Sequence, residues 1–201
     1  AAPDKYNRNA WDDDETNDEQ WPYRVKFSGT DLLGNVTIPE GDPTDLETSL
    51  EVSLDASSES YPLHTFNLLN DGVMEKIAKA FKLQPSEIAS ATLETGVVKA
   101  EGFTGPADGK VAVGLTNPDG KVSYAYSANG IGFWIAADGT ASSWGDAPIY
   151  YEYDAVGYGL TVGHNPGHSE KGKTYTIKPT MVYNKGGKLH KAVITIKMKF
   201  A

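Results

Sequence analysis

The hydrophobic positions of this chain follow two periods, one after the other. Over residues 73–81, Met74, Ile77, Ala78 and Phe81 recur three and four apart, which puts them on one face of a helix with Asp71 as the expected N-cap. Pro85-Ser86-Glu87-Ile88 follows with proline near a first helical position, and Leu83 and Ile88 are able to pack back on the same core. After Thr95 the period is two. Runs at 111–116 and 122–126 are joined by Asn117-Pro118-Asp119-Gly120, and runs at 132–136 and 140–144 by Ala137-Asp138-Gly139. Runs at 149–153 and 158–162 follow, and 173–183 meets 189–200 through Asn184-Lys185-Gly186-Gly187. Alternation broken by such turns predicts antiparallel hairpins. The expected fold is therefore mostly β: an antiparallel sandwich, with an open barrel as the variant, carrying one or two short helices around residues 72–90.

Upstream of the helix the pattern is looser. Extended pieces at 23–27, 35–38 and 50–54 are broken by Gly29, Gly34, Pro39, Gly41 and Pro43. Residues 1–22 are acidic and carry little apolar material, so they read as a leader or linker. Residues 23–47 read as a separate small domain or extra strands, and 48–201 as the sandwich. The chain opens on Ala1-Ala2-Pro3 without a basic and then apolar leader, as expected of a processed or truncated chain whose targeting signal is missing.

Composition narrows the classes. With 39% hydrophobic and 22% charged residues the 201-residue chain is globular in type, and no apolar run approaches a membrane span. A net charge of −9 argues against nucleic acid as a partner, and the absence of cysteine removes disulfides, thiol nucleophiles and thiolate metal sites. The lysines at 185, 188, 191, 197 and 199 alternate with apolar residues, as on the solvated face of an edge strand.

Candidate chemistry is sparse. His164 and His168 stand four apart, but Pro166 and Gly167 between them make the segment a turn, so no metal and no cofactor is expected. His64 and His190 stand alone in predicted strands, and Asp12-Asp13-Asp14-Glu15 lacks the spacing of a calcium loop. Glu152 with Asp154 or Asp146 would serve a glycosidase only if two carboxyls met across a cleft, and nothing in the sequence selects a pair. The remaining feature is aromatic: Phe133, Trp134, Trp144, Tyr150, Tyr151, Tyr153 and Tyr158 crowd two adjoining hairpins. Aromatic faces stack on the apolar C–H faces of sugar rings, and they also fill sandwich cores. Alternation sets Tyr151 and Tyr153 on one face of their strand and Tyr150 on the other.

The run from Ser127 to Gly139, including Gly130-Ile131-Gly132-Phe133-Trp134, then Ser143-Trp144-Gly145-Asp146, resembles a known pattern. Leu160-Thr161-Val162-Gly163-His164-Asn165-Pro166-Gly167, Lys171-Gly172-Lys173-Thr174-Tyr175 and Met181-Val182-Tyr183 continue it in the same order. Over roughly residues 48–201 the chain is similar to a secreted or surface domain family of Bacteroidetes, a domain of unknown function. The resemblance implies a β-sandwich in exported or lipid-anchored proteins near glycan-utilisation systems, and it implies no catalytic residue. It departs at His164, where the family pattern has Gln, which weakens a metal role for the histidine pair.

Three readings result. The leading one is a non-catalytic module that binds a polysaccharide or oligosaccharide through Trp134, Trp144, Tyr151 and Tyr158. The second is a structural or protein-interaction module, which requires the same aromatics to be buried, whereas two exposed coplanar rings would favour sugar. A glycoside hydrolase is the third.

Overall fold

The computed structural model describes residues 44–91, 97–100, 103–124 and 131–201. The expectations for the acidic leader and for strands at 23–27 and 35–38 lie outside the described residues. In order, the elements are β1 (Thr44–Leu54), β2 (Pro62–Asn67), α1 (Val73–Phe81), α2 (Pro85–Ala91), β3 (Val97–Ala100), β4 (Phe103–Pro106) and β5 (Val111–Thr116). They continue as β6 (Val122–Tyr124), β7 (Ile131–Ile135), β8 (Ala141–Ser142), β9 (Ile149–Asp154), β10 (Gly159–His164), β11 (Thr174–Ile177), β12 (Pro179–Lys185) and β13 (Lys188–Phe200).

Among the described residues the strands form two principal sheets, a separate β3–β4 pair and no closed barrel, the layout of a β-sandwich. One sheet runs β1-β13-β12-β5-β6 with β11 also on β13, and the other runs β2-β10-β9-β7-β8. β13 organises the first. Its alternation turns Ala192, Ile194, Ile196, Met198 and Phe200 into the core, where they meet Val111, Val113 and Leu115 of β5 and Ile149, Tyr151, Leu160 and Val162 of the opposite sheet. Tyr151 spans the gap, its hydroxyl donating to the Gly114 carbonyl of β5.

Two expectations about the strands change. The run 173–183 is two strands, because after Ile177 pairs with Ile196 the chain breaks at Lys178 and Thr180 resumes opposite Val193. Lys178 instead gives its carbonyl to the Thr116 amide at 2.9 Å. The sandwich is also not wholly antiparallel: β1 lies parallel to β13 from Thr44 to Leu54. The chain between them passes through every other described element, so this pair is not a hairpin and leaves no turn signature.

α1 has the expected span and buries Val73, Met74, Ile77, Ala78 and Phe81. Its N-cap is Gly72 in the left-handed region rather than Asp71, whose carboxylate stands one position too early and accepts only the Val73 amide at 3.4 Å. At the other end Lys82 takes a positive φ of 59° and the Leu83 amide reaches the Ala78 carbonyl at 2.8 Å, a Schellman closure. α2 begins at Pro85 as expected, and Glu87 reaches back to the Gln84 amide at 2.9 Å.

The hairpin turns are as read. Gly186 and Gly187 both have positive φ, 63° and 87°, as a two-residue turn of primed type requires. Gly120 and Gly139 hold φ of 87° and 94°. Gly120→Val and Gly139→Val are each expected to lose about 1–2 kcal/mol from the left-handed backbone alone. Gly139→Val loses more, because its Cβ stands 3.1 Å from the Thr176 carbonyl oxygen. Thermal melts that matched the parent for both variants would refute this account of the turns.

Candidate functional site

The outer face of the second sheet is set by register. Across it, Thr65, Thr161, Glu152 and Gly132 stand opposite one another on β2, β10, β9 and β7. In the next row Gly163 opposes Tyr150, Tyr150 opposes Trp134, and Trp134 opposes Ser142. Asp154 follows Glu152 on the same face of β9. Of these, Gly132, Trp134, Tyr150, Glu152, Asp154 and Thr161, together with Tyr61 just ahead of β2, border a shallow groove of about 500 Å³.

Its wall is aromatic. The Trp134 ring sits 4.9 Å from that of Tyr150 at an interplanar angle of 47°, and Tyr61 meets Trp134 edge-on at 6.2 Å and 81°. Tyr150 is buried beneath this arrangement, Trp134 is partly exposed, and Tyr61 is 43% exposed. Gly163 makes the wall possible, for a Cβ there would lie 2.1 Å from the Tyr61 carbonyl oxygen and 2.5 Å from the Tyr150 ring. The other side is polar, with Glu152 and Asp154 exposed and the Thr65 and Thr161 hydroxyls 2.7 Å apart.

The four residues singled out from sequence separate. Trp134 lies in the groove. Tyr151 is wholly buried, because β9 is the central strand and the period of two turns this ring inward to Gly114, so it offers a ligand no surface. Tyr158 is half-buried at a positive φ of 56°, its carbonyl accepting the Leu68 amide at 2.9 Å and its hydroxyl reaching the Pro85 carbonyl at 3.4 Å. It ties the loop ahead of α1 to the start of α2 and does not border the groove. Trp144 is 62% exposed and lies past the end of β8, on a different depression of about 390 Å³ bordered by Ser143, Asp146, His168 and Glu170.

Sequence reasoning passed over Tyr150 and Tyr61. Alternation already set Tyr150 apart from Tyr151, whereas the approach of Tyr61 depends on β2 pairing with β10 and carries no local signal.

The two imidazoles of the 164–168 segment have different surroundings. His164 is buried, stacks on Phe200 at 5.8 Å and shares a 2.7 Å hydrogen bond between Nδ1 and the Ser169 hydroxyl, whereas His168 is exposed in the following turn. The segment braces the Trp144 loop: the Asn165 amide donates to the Pro148 carbonyl at 3.0 Å and its side-chain amide to the Gly145 carbonyl at 2.5 Å. Among the described residues no group of three or more histidines and carboxylates is placed to hold a metal ion, and no helix is long and apolar enough to cross a membrane.

The chain is thus a mostly-β, two-sheet module with an aromatic-walled groove on one outer face. It belongs to the family described as Domain of unknown function (DUF4859), whose pattern matches residues 60–188. Residues 1–34 match a second description, Family of unknown function (DUF6055). Neither a curated protein nor a solved structure matches the chain. The resemblance to an uncharacterised domain therefore holds.

Two outcomes test the wall. Gly163→Ala is expected to destabilise the fold by about 1–3 kcal/mol through overpacking, read from urea unfolding; an unchanged midpoint would contradict the contact. Burial, and then the Glu152 carboxylate, push the Tyr150 phenol up to about 12. A folded pKa above the unfolded value of about 10 means stability that is intact below pH 10 and lost as pH rises toward 12. The fall in melting temperature over that window is expected to be shallower in Tyr150→Phe, and identical slopes would exclude the assignment.

Proposed function

We propose that the domain is a non-catalytic carbohydrate-binding module, and that the β2-β10-β9-β7-β8 face is where it holds a polysaccharide or oligosaccharide. The observation that carries the reading is the juxtaposition in one groove of the Trp134 and Tyr61 rings with Glu152, Asp154 and Thr161. Aromatic carbons suit the C–H faces of a sugar, and carboxylates and hydroxyls suit its O–H groups. Glu152 and Asp154 lie side by side on one strand and not on opposed walls, and Asp146 borders the other depression, an arrangement that favours binding over glycoside hydrolysis. The resemblance of the 127–183 segments to a secreted Bacteroidetes family supports an exported or surface setting beside glycan-utilisation systems.

A structural or protein-interaction module is the competing reading, and the burial of Tyr150, Tyr151 and Tyr153 favours it by leaving fewer rings for sugar. Affinity gels cast with plant, mucin and microbial polysaccharides separate the two. At least one polysaccharide is expected to retard the chain. Trp134→Ala and Tyr61→Ala, confirmed folded by near-ultraviolet circular dichroism, should each weaken that hit by roughly tenfold, about 1.4 kcal/mol. Trp144→Ala should leave it in place. Free migration through every gel would reject glycan capture and favour the interaction module.

A further inference from the structure

The groove's charge is lopsided in a way that its aromatic wall does not explain. Among the described residues two carboxylates border it and no lysine, arginine or histidine does. Both are exposed, and neither Glu152 nor Asp154 has an ion-pair partner among the described residues. Gly132 stands opposite Glu152 on β7, so no side chain on that strand covers it. Next to it on the same face of β9, the Tyr150 phenol is held protonated by burial first and by the Glu152 charge second. The chain as a whole adds a net charge of −9.

An ionised carboxylate only accepts hydrogen bonds, and its bonds from hydroxyl donors are stronger than neutral ones. A neutral sugar brings such donors on adjacent carbons. A uronate or sulfate ester brings acceptors and a charge of the same sign. Taking this groove as the glycan site proposed above, we infer that it selects uncharged glycans and rejects anionic ones, with Glu152 and Asp154 as the residues that discriminate. Successive residues on one face of a strand lie about 7 Å apart, so the pair presents its charge along one side of a single sugar unit and the next. Two unit charges at such distances from an anionic group in water amount to a roughly tenfold discrimination. Salt weakens it, since the Debye length at about 0.15 M is near 8 Å.

The test uses polysaccharides that share a backbone and differ in charge: hydroxyethyl against carboxymethyl cellulose, methyl-esterified pectin against polygalacturonate, and dextran against dextran sulfate. Each is immobilised on a biosensor surface and the full chain is passed over it at low and physiological salt. The chain is expected to bind the neutral member of at least one pair at least tenfold more tightly than the anionic member, with the gap narrowing as salt rises. Glu152→Gln combined with Asp154→Asn, confirmed folded by thermal melting, should bring the two members within about threefold. Tighter or equal binding of the anionic members by the parent would overturn the charge selection while leaving glycan capture standing, as would a gap that the double variant preserves. Binding to no member of any pair would remove the glycan reading and this inference with it.

Discussion

The period of two along β9 is the constraint on which the groove depends. This strand has large polar-tipped rings on both faces, and pairing with β10 and β7 on its two sides leaves it no freedom to rotate. Tyr151 and Tyr153 are therefore committed to the core, where the first bonds Gly114 of the other sheet and the second meets Met74 of α1 at 4.0 Å. Tyr150, Glu152 and Asp154 are committed to the outer face. A slip of one residue would exchange these sets, burying two carboxylates, so the same hydrophobic term that holds the sandwich together fixes which groups a ligand meets.

The groove draws on distant parts of the chain for the rest. Trp134 arrives by the β7–β9 pairing, and the Thr161 hydroxyl is bonded by Thr65 of β2, nearly a hundred residues away. Tyr61 follows the same route, held by its own carbonyl, which accepts the His164 amide at 3.0 Å. Glycine at 163 lets Tyr150 lie flat enough to carry Trp134, and glycine at 132 leaves the neighbouring position bare. Small residues thus shape the depression and large ones line it.

Much of the fold was legible in the sequence and less of the groove. The helix over Val73–Phe81 and the Asn117–Gly120 and Gly186-Gly187 turns each rest on residues within a few positions of one another, so their signals are local. The parallel β1–β13 pair is set by contacts between the two ends of the domain, and no short window contains it. The break at Lys178 has one local sign, Pro179, which the apolar alternation of Tyr175, Ile177, Met181 and Tyr183 on either side of it outweighs. For the groove, alternation divides Tyr150 from Tyr151 but does not say which face is the core when both carry tyrosine. That is decided by β9 standing in the middle of its sheet with Gly114 across the gap, a tertiary fact. Trp144 reads as a strand residue in sequence, yet β8 ends at Ser142 and the indole projects from a loop that Asn165 holds.

Ring geometry bears on the kind of surface the groove can meet. Coplanar exposed rings in a row suit a flat, extended face such as packed chains present. Here the exposed rings are not coplanar: Tyr61 stands at 81° to Trp134, and Trp134 leans at 47° on a buried Tyr150. The criterion that would have favoured sugar outright is therefore met only for exposure and not for orientation. On the glycan reading proposed above, two rings in edge-to-face contact make a corner and not a row, which suits one chain lying along Trp134 better than a packed flat face.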